Sequence, residues 1–129
     1  MALSKQQILA AVDLPIEEVE VPEWGGYVYV RGLNGEERDA FELSIIDQKN
    51  KGKVNLENIR AKLCALTLCD DKGERLFTDK EVFALSKKSG SVLGRLFLVA
   101  QRLSGLSEND VQEMTENFLS VQKGDSTSD

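Results

Sequence analysis

Cys64 and Cys69 are the two thiols of the chain, and a thiolate can act as a nucleophile or as a zinc ligand. They stand five residues apart, outside the CxxC spacing, and the sequence has no histidine to serve as a base or to complete a zinc site. Both therefore read as ordinary reduced cysteines, a residue type commonly buried as a small hydrophobe. Without histidine the familiar serine and cysteine triads are excluded as well. Carboxylates could carry acid–base chemistry alone. Most of the 22 acids, however, fall in first turns or on polar faces of expected helices, where capping and solvation account for them.

The stretch from Asp70 to Glu81 has the length of a calcium loop and an acid at its last position. Lys72 takes the third position, where a ligand belongs, and Arg75 the sixth, where a glycine belongs. A turn built on Gly73 is the better reading. Phosphate-cradling GxGxxG and GxxxxGK[ST] patterns are absent. No cofactor, metal or enzymatic activity is expected.

Charge narrows the partners further. With 22 acidic and 16 basic residues the net charge is -6, which disfavours phosphate backbones and anionic lipid surfaces. Lys49, Lys51 and Lys53 form a basic cluster with no aromatic residue among them to stack a base, so they read as a solvated loop. No apolar run reaches the ~18 residues of a membrane span, and Met1–Gln6 lacks a signal-peptide centre. Neither nucleic acid nor membrane is expected as a partner, and a cytoplasmic address is.

The elements that must position these residues are legible from period and punctuation. Ser4 caps a short helix through Val12 carrying Ile8 and Leu9. Ile16–Val21 and Tyr27–Leu33 alternate and are rich in β-branched and aromatic residues, which predicts an antiparallel hairpin turning through Pro22–Gly26. Asn34 caps a helix bearing Phe41, Ile45 and Gln48, and Asn55 opens another with Leu56, Ile59, Leu63 and Leu66 on one stripe. A second small hairpin is expected near 66–77, at the cost of that helix's last turn. Thr78 and Glu81 form a capping-box pair before Val82, Phe83 and Leu85. Ser91 caps the most hydrophobic helix, ended by Gly105, which must be central to the core or covered by a partner. Ser107 and Asp110 start a last helix whose stripe is Val111, Met114, Phe118 and Leu119. The expected fold is α+β and mainly helical, an N-terminal β-hairpin packed on a bundle of about five helices. Residues 1–12 form a helical appendage, 13–121 a single globular domain and 122–129 a flexible tail.

Certain landmarks recur in a distinctive order. They are Val21-Pro22-Glu23-Trp24-Gly25-Gly26, Val28-Tyr29-Val30-Arg31-Gly32-Leu33, Glu37-Arg38-Asp39-Ala40-Phe41-Glu42, Asp71-Lys72-Gly73-Glu74-Arg75-Leu76-Phe77-Thr78, Lys88-Ser89, Leu103-Ser104-Gly105-Leu106-Ser107 and Glu116-Asn117-Phe118. In order and spacing, from Asp13 to about Leu119, the sequence resembles the tail assembly chaperone family of long-tailed phages and prophages. Glu116 departs from the pattern, where a lysine is expected.

The resemblance implies a helper that binds the tape-measure protein, keeps it soluble while tail-tube protein assembles around it, and is absent from the mature virion. It also implies a frameshift-extended form of the chain, joined near Gly124–Asp129, and self-association into a ring or spiral. For the client contact the sequence offers the stripe of Val111, Met114, Phe118 and Leu119, since Met adapts to varied surfaces and Phe supplies area. The same stripe could instead pack on the helix of Leu96 and Leu103. The alternative function is a structural virion component such as a tail terminator or connector, which presence in purified virions would favour.

Overall fold

The computed structural model describes residues 1–47, 53–54 and 57–106. Strand β1 (Ile16–Val21) pairs antiparallel with β2 (Gly26–Arg31), setting Val19 opposite Val28 and Glu20 opposite Tyr27. Val19 and Val21 join the core while Glu18 and Glu20 stay exposed, the period-2 division a half-buried sheet requires. The connection is one 3₁₀ turn, Pro22–Trp24, closed by Gly25 at φ 77° with its N–H on the Pro22 carbonyl at 3.0 Å. A side chain at Gly25 would be strained by that φ. Trp24 packs partly buried on the core, with the Lys88 ammonium 5.9 Å from its ring centre.

Helix α2 (Gly35–Ile45) starts as expected. The Asn34 side chain accepts from the Glu37 N–H at 2.8 Å, and the Glu37 carboxylate accepts from the Asn34 N–H at 3.1 Å. The helix ends at Ile45, short of the expected Gln48, because the chain turns into β3 (Ile46–Asp47), which pairs with β4 (Lys53–Val54). β-branched Ile46 and Val54 stand opposite each other in register, a residue pair that favours strand over helix. A short ladder thus flanks the segment expected to be all loop, and Lys53 belongs to a strand; Lys49 and Lys51 lie outside the described residues.

Helix α3 (Ile59–Thr67) begins later than expected, behind Asn58 at φ 58°, a left-handed conformation that asparagine tolerates. Asn55 and Leu56 lie outside the described residues. Leu63 and Leu66 are buried as the stripe predicted. At the other end α3 keeps Leu66 and Thr67, both buried, with the Thr67 hydroxyl donating to the Leu63 carbonyl at 2.8 Å. Only then does β5 (Leu68–Cys69) form, and its main partner is β2, with Cys69 opposite Tyr29 and Leu68 opposite Val30. The sheet order is β1-β2-β5. The expected local hairpin is present in short form around the Gly73 turn: Asp70 donates to the Glu74 carbonyl at 2.9 Å, Leu76 to the Leu68 carbonyl at 3.0 Å, and Cys69 bridges Arg75. The free edge of buried β2 must be satisfied by some backbone, and β5 meets it with one edge while its other edge faces the local turn.

Glu81 accepts the Thr78 N–H at 2.8 Å ahead of a 3₁₀ turn (Asp79–Glu81) and α4 (Val82–Leu85). Leu85 is buried, whereas Phe83 is exposed with the Lys87 ammonium 4.3 Å from its ring centre. Helix α5 (Gly90–Leu103) is capped by Ser89, whose hydroxyl accepts from Val92 at 3.4 Å, rather than by Ser91, which sits exposed in the first turn. It ends in a Schellman arrangement: Gly105 at φ 71° donates to the Arg102 carbonyl at 3.2 Å and Leu106 to the Gln101 carbonyl at 2.9 Å. Leu106 is thereby pulled into the core. Helix α1 (Lys5–Ala10) carries a full Ser4/Gln7 capping box, stops two residues before Val12 and buries none of its residues.

Candidate protein-binding surface

The residues singled out for chemistry are occupied with structure. Cys64 is buried, its thiol 3.8 Å from the Leu93 carbonyl, and burial pushes its pKa up to about 12. Burial raises Cys69 too, against the opposing pull of the Arg31 charge. A thiol held in this way is a poor nucleophile. Asp70 Oδ1 accepts the N–H groups of Glu74 at 3.0 Å and Lys72 at 2.8 Å, and these hydrogen bonds hold its carboxyl below the usual range. Asp70 is thus a side chain that builds the Gly73 turn, the reading its sequence indicated. Among the described residues no three His, Cys, Asp or Glu side chains come together as a metal cluster.

What remains is surface shape. Helix α5, the element whose apolar faces demanded a cover, turns out to be central: Val92, Leu93, Leu96 and Ala100 are buried, and α3 lies along it. Its need is met within the chain. A groove of about 280 Å³ opens instead between α2, α3 and the start of α4, lined by Ala40, Phe41, Leu66 and Val82 with Ser44, Lys62 and Asp79. Lys62 is engaged there, its ammonium donating to the Ser44 carbonyl at 3.1 Å. Asp79 is tied to Arg75 at 3.0 Å while its side chain stays 80% exposed. Apolar walls with a charged mouth suit an amphipathic segment.

The outer face of the hairpin is a second accessible surface. Tyr27 and Tyr29 meet edge to face, their ring centres 5.6 Å apart, opposite Glu20 and Glu18. A third is a recess of about 310 Å³ lined by Asn58, Arg60, Ser86, Lys88 and their neighbours.

The stripe singled out from sequence, Val111, Met114, Phe118 and Leu119, lies outside the described residues. The groove was not foreseen, since Ala40, Phe41 and Leu66 read as packing residues. The trace it leaves is small Ala40 and Ser44 flanking Phe41 on one side of α2, which makes room beside a buried ring.

Comparison with known proteins agrees with the sequence resemblance. A family model described as phage tail assembly chaperone matches residues 14–117. Among solved structures, the bacteriophage HK97 tail assembly chaperone is similar in fold, with a TM-score of 0.57 and 24% identity, covering 80% of this chain and 95% of that one. A search of curated proteins finds no match.

Proposed function

Because this chain belongs to the phage tail assembly chaperone family, we propose that it binds the tape-measure protein of its phage, keeps it soluble and assists tail-tube assembly without entering the mature virion. The family match is the observation that supports this reading. A tape-measure protein is a very long helical chain, whose exposed apolar stripes would aggregate unless covered. In this reading the client contact is the stripe of Val111, Met114, Phe118 and Leu119, and the chain acts by binding, not by catalysis. The work takes place in the host cytoplasm; among the described residues no helix is long and apolar enough to cross a membrane. The same reading includes contact with the tail-tube protein, a frameshift-extended form, self-association, and a domain of residues 13–121 between a helical appendage and a polar tail.

The test is coexpression with the tape-measure protein of the same phage. The expected result is a higher soluble fraction of that client and a complex that copurifies. Replacing Met114 or Phe118 with aspartate should weaken the complex while the circular dichroism melt stays that of the parent, since a carboxylate must be desolvated to enter an apolar contact. A parent that leaves client solubility unchanged removes the chaperone reading. Detection of the chain in purified virions by mass spectrometry contradicts its absence from the particle.

A further inference from the structure

The ion pairs of this chain leave one arginine out. Arg31, Arg38, Arg75, Arg95 and Arg102 each lie between 2.7 and 3.4 Å from a carboxylate oxygen. Among the described residues Arg60 has no such partner, although the chain carries 22 acids to 16 bases. It lines the recess of about 310 Å³ where the first turns of α3 and α5 come together, and Lys88 lines it too. Lys88 also lacks a carboxylate partner among the described residues, its ammonium standing 5.9 Å from the Trp24 ring centre. The lining contains no acid, and Glu57, beside Asn58, is not part of it. On a chain of net charge -6 this recess is the reverse of the average surface.

The rest of the lining suits the group that two cations attract. The Asn58 side chain makes no capping bond to α3, so its amide is a further donor at the recess. Arg60 lies against α5 where Gly94 has no side chain, a Cβ there standing 3.9 Å from its Nε. Ile59, half-buried, and Leu93, buried, supply apolar surface beside these donors. A guanidinium meets a carboxylate through two parallel N–H donors, and one carboxylate adds a single charge, whereas the strings of phosphates in nucleic acid are repelled by the chain as a whole. Asn58, Arg60 and Lys88 are exposed, so the recess is open. A free small acid there would keep most of its water, and a side chain held in place by the rest of a bound segment binds at lower entropic cost.

We propose that this recess receives the carboxylate side chain of a glutamate or aspartate on a partner protein, gripped by Arg60, with Lys88 and the Asn58 amide as further donors and its stem against Ile59 and Leu93. The surface is separate from the stripe of Val111, Met114, Phe118 and Leu119, so the proposal stands or falls independently of the client contact described above.

Nuclear magnetic resonance of the arginine Nε–H and asparagine amide signals tests it, with N-acetylglutamate α-amide as the probe at constant ionic strength. The parent is expected to show saturable shifts at Arg60 and Asn58, and none with the neutral N-acetylglutamine amide. Arg60→Gln, a change at an exposed position, should weaken the titration followed at Asn58 about tenfold. Equal shifts at Arg38 and Arg102, whose side chains are 42% and 60% exposed, would show charge screening alone and overturn the proposal. So would the absence of any saturable shift, or a titration of full strength in Arg60→Gln. Acetate that binds as tightly as the capped glutamate would mean that a bare charge is read and not a side chain, and shifts with inorganic phosphate but not with the probe would make the occupant a phosphate. Either result overturns the assignment as well.

Discussion

Arg31 and Glu37 are joined by two parallel hydrogen bonds, Nη1 to Oε1 and Nη2 to Oε2, each 2.7 Å, at the point where β2 gives way to α2. Both side chains are nearly buried, at 7% and 12% exposure. Arg31 Nη1 also donates to the Gly32 carbonyl at 3.1 Å, while Glu37 caps Asn34, so one ion pair fixes the angle between sheet and helix. Removing either partner of a buried pair leaves the other charge unmatched and costs about 3 kcal/mol or more. Glu37→Ala should lower the urea midpoint accordingly. Arg31→Lys should also destabilise, because an ammonium cannot make the two-pronged contact. An unchanged midpoint in both variants would show that the pair does not hold the junction.

The same pair sets an acid limit. Burial alone raises the Glu37 carboxyl, but the Arg31 and Asn34 hydrogen bonds and the charges of Arg31 and Arg75 outweigh it and hold its pKa below the ordinary 4.5. A carboxyl lowered in the folded state contributes stability that is present above its unfolded value and lost as pH falls through the folded one. Thermal melts of the parent should therefore fall below about pH 4.5, and those of Glu37→Gln should fall less steeply over the same range. Parallel pH profiles for the two proteins would contradict this assignment.

Two glycines three residues apart should respond oppositely to alanine. A Cβ on Gly32 would stand 2.5 Å from the Leu103 carbonyl oxygen and 3.3 Å from Pro15 Cδ, whereas one on Gly35 meets nothing within 4 Å. Backbone cannot yield as a side-chain tip can, so Gly32→Ala should cost about 1–3 kcal/mol. Gly35→Ala, inside the first turn of α2, should gain up to about 1 kcal/mol. Denaturant titration of the two variants reads both signs, and a neutral Gly32→Ala would mean that α5 does not press on the end of the hairpin.

Thiol chemistry checks the burial of α3 and β5. Cys64 and Cys69, each at most 1% exposed, should react with an aromatic disulfide reagent orders of magnitude more slowly in the folded protein than in guanidinium, where both react. Fast modification of either thiol in the native state would show that its element opens readily.

The sequence alone determined the parts governed by neighbours in the chain. The hairpin followed from alternating β1 and β2 residues and the Pro22–Gly26 turn. The caps at Ser4 and Asn34 followed from a polar residue just ahead of a helical pattern, that at Thr78 from its pairing with Glu81 three positions on, and the Gly105 stop from the need for a left-handed residue. The order of short motifs further pointed to the family whose model matches residues 14–117, because motifs that are each generic become specific in combination. Tertiary structure decided what depends on distant partners. It set Leu68–Cys69 against the edge of β2 in addition to the local turn around Gly73, since the backbone groups of a buried strand must be paired from somewhere. It placed α5 in the core instead of at an interface, because α3 supplied the cover its apolar faces required. It also opened the groove beside Phe41, a shape set by the angle between helices far apart in sequence, for which no single stretch of residues carries a pattern.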